Sequence, residues 1–319
     1  MHKGRISEIA YKRSVMKKIT DKTEGIRPGV DAAEIKLEDV TAVMSSNCML
    51  KWFETCEDYY VQKTMNCIYE KGGKPQYMQL EINIPIQFEE KRLGKIIRNF
   101  NDAALKRSIT ICQCRVYASE IETPIVNITV LGTTENKLSC KNIKPEMDVV
   151  MAGSIALGGT AVISAMNRDK LLEKFSNSFV ADCIRLREHI DVKKAAMTAM
   201  AGGAVAMHHV SDGGVFSAIW ELVSSVDLGI TVNIPDIPVW QETVEVAEVF
   251  DINPYLLDGT GALLIVCHNG REMVDKLIES GICANVIGTI TDSKDRIAIN
   301  GDEIRYLEPP RGDEIYKFI

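Results

Sequence analysis

The chain has 319 residues, of which 46% are hydrophobic and 25% charged, with a net charge of −7 and an isoelectric point near 5.4. This is the balance of a globular protein, and the length suggests two domains, each able to bury its own core. No basic tail or stripe is available to neutralise a run of phosphates, so nucleic acid is excluded as a partner class; small ligands or proteins fit better.

Taken in order, Ile6, Ile9, Ala10, Val15 and Ile19 lie in a charged helical pattern rather than in an apolar signal core. The expected location is therefore cytoplasmic, and the nine cysteines are expected to be reduced thiols. Alternation at residues 80–84 predicts a strand, and Leu93, Ile96, Ile97, Phe100 and Ala104 mark a helix over Glu89–Lys106. Residues 109–114 and 125–131 read as further strands, which makes this half α+β with a partly solvated sheet. The polar stretch 133–148 reads as a linker, giving domains 1–147 and 148–319.

Beyond it, residues 149–151 enter a glycine loop followed by a helix from Thr160 to about Met166 and another over 170–175. The uncharged run Val149–Asn167 approaches the length of a membrane span, but Gly153, Gly158 and Gly159 break it, so no membrane segment is expected. An Ala-rich helix near 192–207 precedes His208-His209-Val210-Ser211-Asp212-Gly213-Gly214. After these glycines, Val215, Phe216, Ile219, Trp220, Leu222, Val223 and Val226 recur at helical spacing. Strands at 230–232, 262–267 and 284–290 alternate with helices at 239–250 and 272–280, so the second half is also mixed α and β.

Two glycine turns open helices, and free backbone N–H groups at such starts can receive a phosphate. The first, Gly153 to Thr160, has P-loop spacing but carries Gly159 where the lysine belongs. It reads equally as tight packing. For the second, the competing reading is a turn with Asp212 as N-cap. Cys112 and Cys114 alternate on one strand face, a pattern more typical of small core residues than of a metal site. The adjacent histidines lack a paired ligand at helical spacing, so zinc is not indicated.

Together the motifs resemble the superfamily of aminoimidazole-ribonucleotide synthetase, thiamine-monophosphate kinase, selenophosphate synthetase and the carbamoyl-dehydrating hydrogenase maturation factor. The last is the nearest in pattern. In the second half the resemblance rests on Val210 to Val215, on Asp227-Leu228-Gly229-Ile230 with Ile237-Pro238-Val239, and on Asp251 to Gly261. In the first it rests on Gly29-Val30-Asp31-Ala32-Ala33, Asn66 to Pro75 and Pro124-Ile125-Val126. It implies an N-terminal α+β domain whose sheet pairs with a partner's in a homodimer, an α/β C-terminal domain, ATP with magnesium, and maturation-type protein partners. Carried onto this chain, the nucleotide or phosphate contacts are Gly29, Asp31, Asn66, Arg115, Gly158, Gly159, Asp212, Gly213 and Gly214.

The departures are as informative. Paired acids of the family become Val30-Asp31, Thr-Thr-Asp becomes Ser45-Ser46-Asn47, Asn-Asp becomes Asn66-Cys67, and Gly-Gly-Asp-Thr becomes Gln113-Cys114-Arg115-Val116. Magnesium needs hard oxygen ligands, and most of these carboxylates are missing. The terminal cysteine that accepts the carbamoyl group is replaced by Lys317-Phe318-Ile319, which removes the nucleophile of that reaction.

Three readings follow. The chain binds a nucleotide or phosphorylated ligand without dehydrating a thiocarbamate, Arg115 replacing part of the metal's charge. Alternatively it is an ATP-dependent enzyme of another type that recruits Asp39, Glu54, Glu57, Asp58 or Glu70. Or Cys48, Cys67, Cys112 and Cys114 form a soft thiol or metal site.

Overall fold

The structure is a computed structural model that describes residues 6–20, 25–53, 56–135, 138–224, 226–309 and 312–319. The chain divides into two compact units, one of residues 31–136 with Ile319, the other of residues 1–30 with 137–318. Both are mixed α and β, so the architecture is α+β with two sheets.

In the first unit, β1 (Ala33–Leu37), β2 (Val40–Met49), β3 (Lys74–Pro85), β4 (Thr110–Ser119) and β5 (Ile125–Thr134) form a sheet in the order β1-β2-β5-β3-β4. Neighbours are antiparallel except β3 and β4, which run parallel and are joined by α3 (Glu90–Lys106). A parallel pair needs such a crossover, because a tight turn reverses direction. One sheet face carries α2 (Cys56–Tyr69) and α3 over a core that includes Met78, Leu80, Ile82, Phe100, Ile128 and Val130. On α3 the buried residues Ile96, Phe100, Ala103 and Ala104 fall three and four apart, as the sequence pattern requires. Arg107 then ties the two helices together, donating to Gln62 Oε1 at 2.6 Å and to Asp58 Oδ1 at 2.7 Å.

The other face of that sheet is open. Met44, Leu131 and Tyr77 stand in register across β2, β5 and β3 and are 36%, 39% and 45% exposed.

The second unit is built on seven strands: β6 (Asp148–Ala152), β7 (Ala206–Val210), β8 (Gly229–Asn233), β9 (Ala262–Cys267), β10 (Ala284–Thr291), β11 (Arg296–Asn300) and β12 (Glu303–Tyr306). Their order is β12-β11-β8-β10-β6-β9-β7. Around them lie α4 (Leu157–Met166), α5 (Arg168–Leu172), α6 (Asn177–Arg185), α7 (Lys193–Ala201), α8 (Gly214–Ser224), α9 (Gln241–Phe250) and α10 (Gly270–Glu279). Every residue of β6 from Val149 on, and all of β9 and of the edge strand β7, is buried, as expected for strands covered on both faces. The N-terminal segment contributes a four-residue helix, α1 (Glu8–Tyr11), continued by a π-helical turn over Lys12–Met16.

The helix expected over 192–207 is shorter than its composition suggests. It stops at Ala201 because Gly202 and Gly203 follow, the latter at φ +88°, and the chain resumes as β7. His208 and His209 are therefore strand residues. Glu54, Asn136 and Lys137 lie outside the described residues. No described helix is long and apolar enough to cross a membrane.

Phe100 is fully buried, whereas Leu105 on the same helix is 67% exposed. We expect Phe100→Ala to cost ~3–5 kcal/mol in a denaturant titration and Leu105→Ala to stay within about 0.5 kcal/mol. Equal effects would mean that α3 packs on another face.

Candidate functional site

The two glycine turns of the second unit are held by a single loop, residues 253–261. At the start of α4, Gly158 N–H donates to the Thr260 carbonyl at 3.0 Å and Gly159 N–H to the Asp258 carbonyl at 3.1 Å. A Cβ on Gly159 would stand 2.5 Å from Leu257 Cγ and 2.9 Å from the Asp258 carbonyl oxygen. Both amides that sequence reasoning offered to a phosphate thus bond within the protein, and the missing side chain serves close packing.

The start of α8 is closed in the same way. Gly213 and Gly214 take φ of +80° and +68°, a left-handed pair that turns β7 into the helix. A Cβ on Gly214 would meet the carbonyl oxygens of Tyr255 at 2.5 Å and Leu257 at 2.7 Å. Gly214 N–H donates back to Ser211, and Gly259 N–H reaches the same carbonyl. Phe216 stacks on Tyr255 with ring centroids 5.0 Å apart. A carboxyl group does sit at the Gly213 amide, but it is the protein's own: Asp313 Oδ2 accepts that N–H at 2.6 Å.

Asp313 also accepts from the amides of Asp258 at 3.1 Å and Ile315 at 2.8 Å, so one carboxyl joins three separate segments. Its neighbours are acidic. Carboxylate oxygens of Asp212, Asp258 and Asp313 lie within 4.8 Å of one another. Burial, and then the charges of Asp258 and Asp212, push the Asp313 carboxyl well above the usual range, against the lowering by the Ile315 and Gly213 amides. Sequence reasoning named Asp212 and missed Asp258 and Asp313. Asp258 lies inside the Asp251-to-Gly261 run that carries the resemblance, whereas nothing local distinguishes Asp313.

In the first unit, Asp31 and Glu70 bring carboxylate oxygens within 4.8 Å, and Ser45 Oγ donates to the Asp31 carbonyl at 2.7 Å. Around them the positions where the resemblance calls for acids are neutral and paired. Asn47 Nδ2 donates to Thr64 Oγ1 at 3.2 Å, and the Cys67 thiol lies on the Lys63 carbonyl, while the retained Asn66 accepts at Oδ1 from Gln62 Nε2 at 2.9 Å. Among the described residues of this unit, Asp31 and Glu70 are the carboxylates brought together as hard-oxygen donors suited to magnesium. Gly29, at φ +74°, belongs to the second unit and packs on Glu221 of α8.

Arg115 is separated from Asn66 by the sheet. It pairs in register with exposed Glu81 on the open face, while α2 covers the opposite one. The four thiols are likewise dispersed. Cys48 lies on the open face; Cys67 is buried in α2 with its thiol on the Lys63 carbonyl; Cys112 is the bulge residue of β4, against the Met78 carbonyl; Cys114 alternates to the helix-covered side. Burial raises the Cys48 and Cys114 thiols, which disfavours the thiolate that binds soft metals.

With this geometry the relationships to known proteins become interpretable. Residues 144–300 match the family described as AIR synthase related protein, C-terminal domain. A hydrogenase expression/formation protein of Methanocaldococcus jannaschii is 22% identical over 268 residues, covering 80% of this chain and 76% of that one. Thiamine-monophosphate kinase of Pyrococcus horikoshii is 25% identical over 233 residues, covering 69% and 70%. Among solved structures, a chain of the HypE–HypF complex superposes with a TM-score of 0.76 at 20% identity, over 94% of this chain and all of that one. ThiL complexed with AMPPCP and TMP gives 0.75 at 14% identity, over 96% and 99%. Residues 144–300 thus resemble the C-terminal domain of AIR synthase-related proteins, and the chain has the two-domain fold of the hydrogenase maturation protein HypE and of ThiL.

Asp313 supplies a pH test. Its folded-state carboxyl holds a proton above the range in which the unfolded chain releases it. Its contribution to stability is therefore complete below that range and is lost as the pH rises through the folded value. Asp313→Asn removes the ionisation but places an amide nitrogen against one of the three donors, a loss of about 1–2 kcal/mol. We expect the variant's deficit in melting temperature to shrink between pH 4 and pH 8. A deficit that grows with pH would show that the ionised carboxylate is the stabilising form.

Proposed function

We propose that the chain is a divergent, HypE-like member of the superfamily that binds a nucleotide or another phosphorylated ligand without carrying out carbamoyl dehydration. The observation that carries this reading is the replacement of the family's metal-binding acids by neutral residues already bonded within the protein, Asn47 to Thr64 Oγ1 and Cys67 to the Lys63 carbonyl. Dehydration by phosphoryl transfer leans on a cation to offset developing charge, whereas binding alone does not. Asp31 and Asn66 are the contacts we assign to the ligand. The relatives support a phosphorylated ligand: one is named a thiamine-monophosphate kinase, and solved neighbours include HypE in complex with ATP and ThiL with AMPPCP and TMP.

A second reading, an ATP-dependent enzyme of another type, is favoured by one observation. Glu70, a residue outside the family's acid positions, stands within 4.8 Å of Asp31, so two hard ligands are present for one cation. The open face of the first sheet, with Met44, Leu131 and Tyr77, supports a homodimer, and the HypE–HypF neighbour supports a maturation-type protein partner.

Calorimetry with ATP, ADP and AMP, in magnesium and in EDTA, separates these readings. We expect at least one nucleotide to bind with Kd below about 1 mM, some 4 kcal/mol, with less than about twofold dependence on magnesium and no phosphate release. Magnesium-dependent binding accompanied by phosphate release, both lost in Glu70→Gln, would establish the enzyme reading. No heat with any of the three nucleotides overturns nucleotide binding.

A further inference from the structure

On the outward side of α8, Trp220 and Ser224 lie one turn apart and face the first residue of β11, Arg296. The guanidinium stands 3.9 Å over the Trp220 ring, and its Nη2 donates to Ser224 Oγ at 3.2 Å. Ser224 Oγ in turn donates to the Trp220 carbonyl at 2.6 Å. Aromatic face and hydroxyl therefore fix the plane of the guanidinium, as in sites that recognise planar or tetrahedral oxyanions. Yet Arg296 Nε is buried and has no hydrogen-bond partner. A donor of a charged group left buried and unpaired is destabilising, so the position lacks an acceptor.

The nearby acceptor is Glu8. Its Oε2 takes the Trp220 indole N–H at 2.9 Å, and its Oε1 is paired with Lys12 one helical turn on. Burial pushes the Glu8 carboxyl up, but the bonds from Lys12 and Trp220 and the charges of Lys12 and Arg296 bring it below the usual range. It is held as a carboxylate, and it satisfies the indole while leaving Arg296 Nε unmet. Its attachment is otherwise slight. Neither α1 nor the following π-helical turn buries a residue, and Ile9 is 59% exposed. Asp227, the other acid acting on Arg296, is paired with Lys294 at 2.6 Å, so lifting Glu8 and Lys12 leaves Arg296 as the net charge of the site.

We infer that Trp220, Ser224 and Arg296 form an oxyanion-binding site, which Glu8 fills as an intramolecular ligand and which a phosphate- or carboxylate-bearing small molecule takes when residues 6–16 lift away. Such an anion has two oxygens to offer, one to the indole N–H and one to Arg296 Nε, and thereby satisfies a donor that Glu8 does not. The site lies wholly in the second unit and is independent of the nucleotide reading.

The test uses the full chain at constant ionic strength, with the indole 15N–H resonance of Trp220, assigned through Trp220→Phe, as the readout. Inorganic phosphate and acetate are titrated separately into wild type, Glu8→Ala and Glu8→Gln. Removing the internal competitor should tighten phosphate binding by about tenfold or more in both variants, and adding Arg296→Gln should abolish it. A gain with acetate as well identifies the shared oxyanion chemistry, and a gain with phosphate alone identifies a phosphate site. No gain with either anion, or a gain that survives Arg296→Gln, overturns the inference. Glu8→Gln keeps a side chain in place, so a folding defect confined to Glu8→Ala leaves the result decisive.

Discussion

The arrangement of the second unit depends on where its helix-start amides go. An N–H at the first turn of a helix has no partner within the helix and must find one outside it. At α4 the partners are the carbonyls of Thr260 and Asp258; at α8 the partner is the carboxyl of Asp313. The loop 253–261 touches both starts, and Asp313 also takes the Asp258 amide. One loop and one buried acid thus fix two helices and the 312–319 segment against the sheet. The same bonds leave the Gly158, Gly159 and Gly213 amides without capacity for a bound phosphate.

Electrostatics reinforces this division. A phosphate at the Gly213 amide would stand beside Asp212 and Asp258, whose charges already raise the Asp313 carboxyl. Like charges at this separation in a buried setting are costly. The anion tolerated there is one that can carry a proton. The first unit shows the reverse substitution, acids of the related pattern giving way to Asn47, paired with Thr64, and to Cys67, on the Lys63 carbonyl. Neutral pairs remove the repulsion that a metal would otherwise have to offset, and they remove most of the metal's ligands as well.

Much of the architecture was legible in the sequence because burial is periodic. The stripe on α3 and the continuous apolar strand β9 follow directly from spacing. Two kinds of element were not. Helix α2 is buried along almost its whole length despite Glu57, Gln62, Lys63 and Asn66, so its polar residues hide the stripe that would announce a helix. The end of α7 was decided by Gly202 and Gly203 against an alanine-rich background. At the candidate sites, motif spacing located the turns but not their partners. Asp313 is 100 residues from Gly213, and Arg296 is 288 residues from Glu8; no local pattern encodes contacts of that range. The open-face position of Arg115 and the dispersal of the thiols likewise follow from register, which a single sequence leaves undetermined.

The central claim is that the amides of the two glycine turns belong to the fold. Residue-resolved hydrogen exchange at Gly158, Gly159 and Gly213, with and without ATP and magnesium, tests it most directly. The account predicts slow exchange in the free protein and no change on adding nucleotide. Fast exchange in the free protein that slows when ATP binds would contradict it.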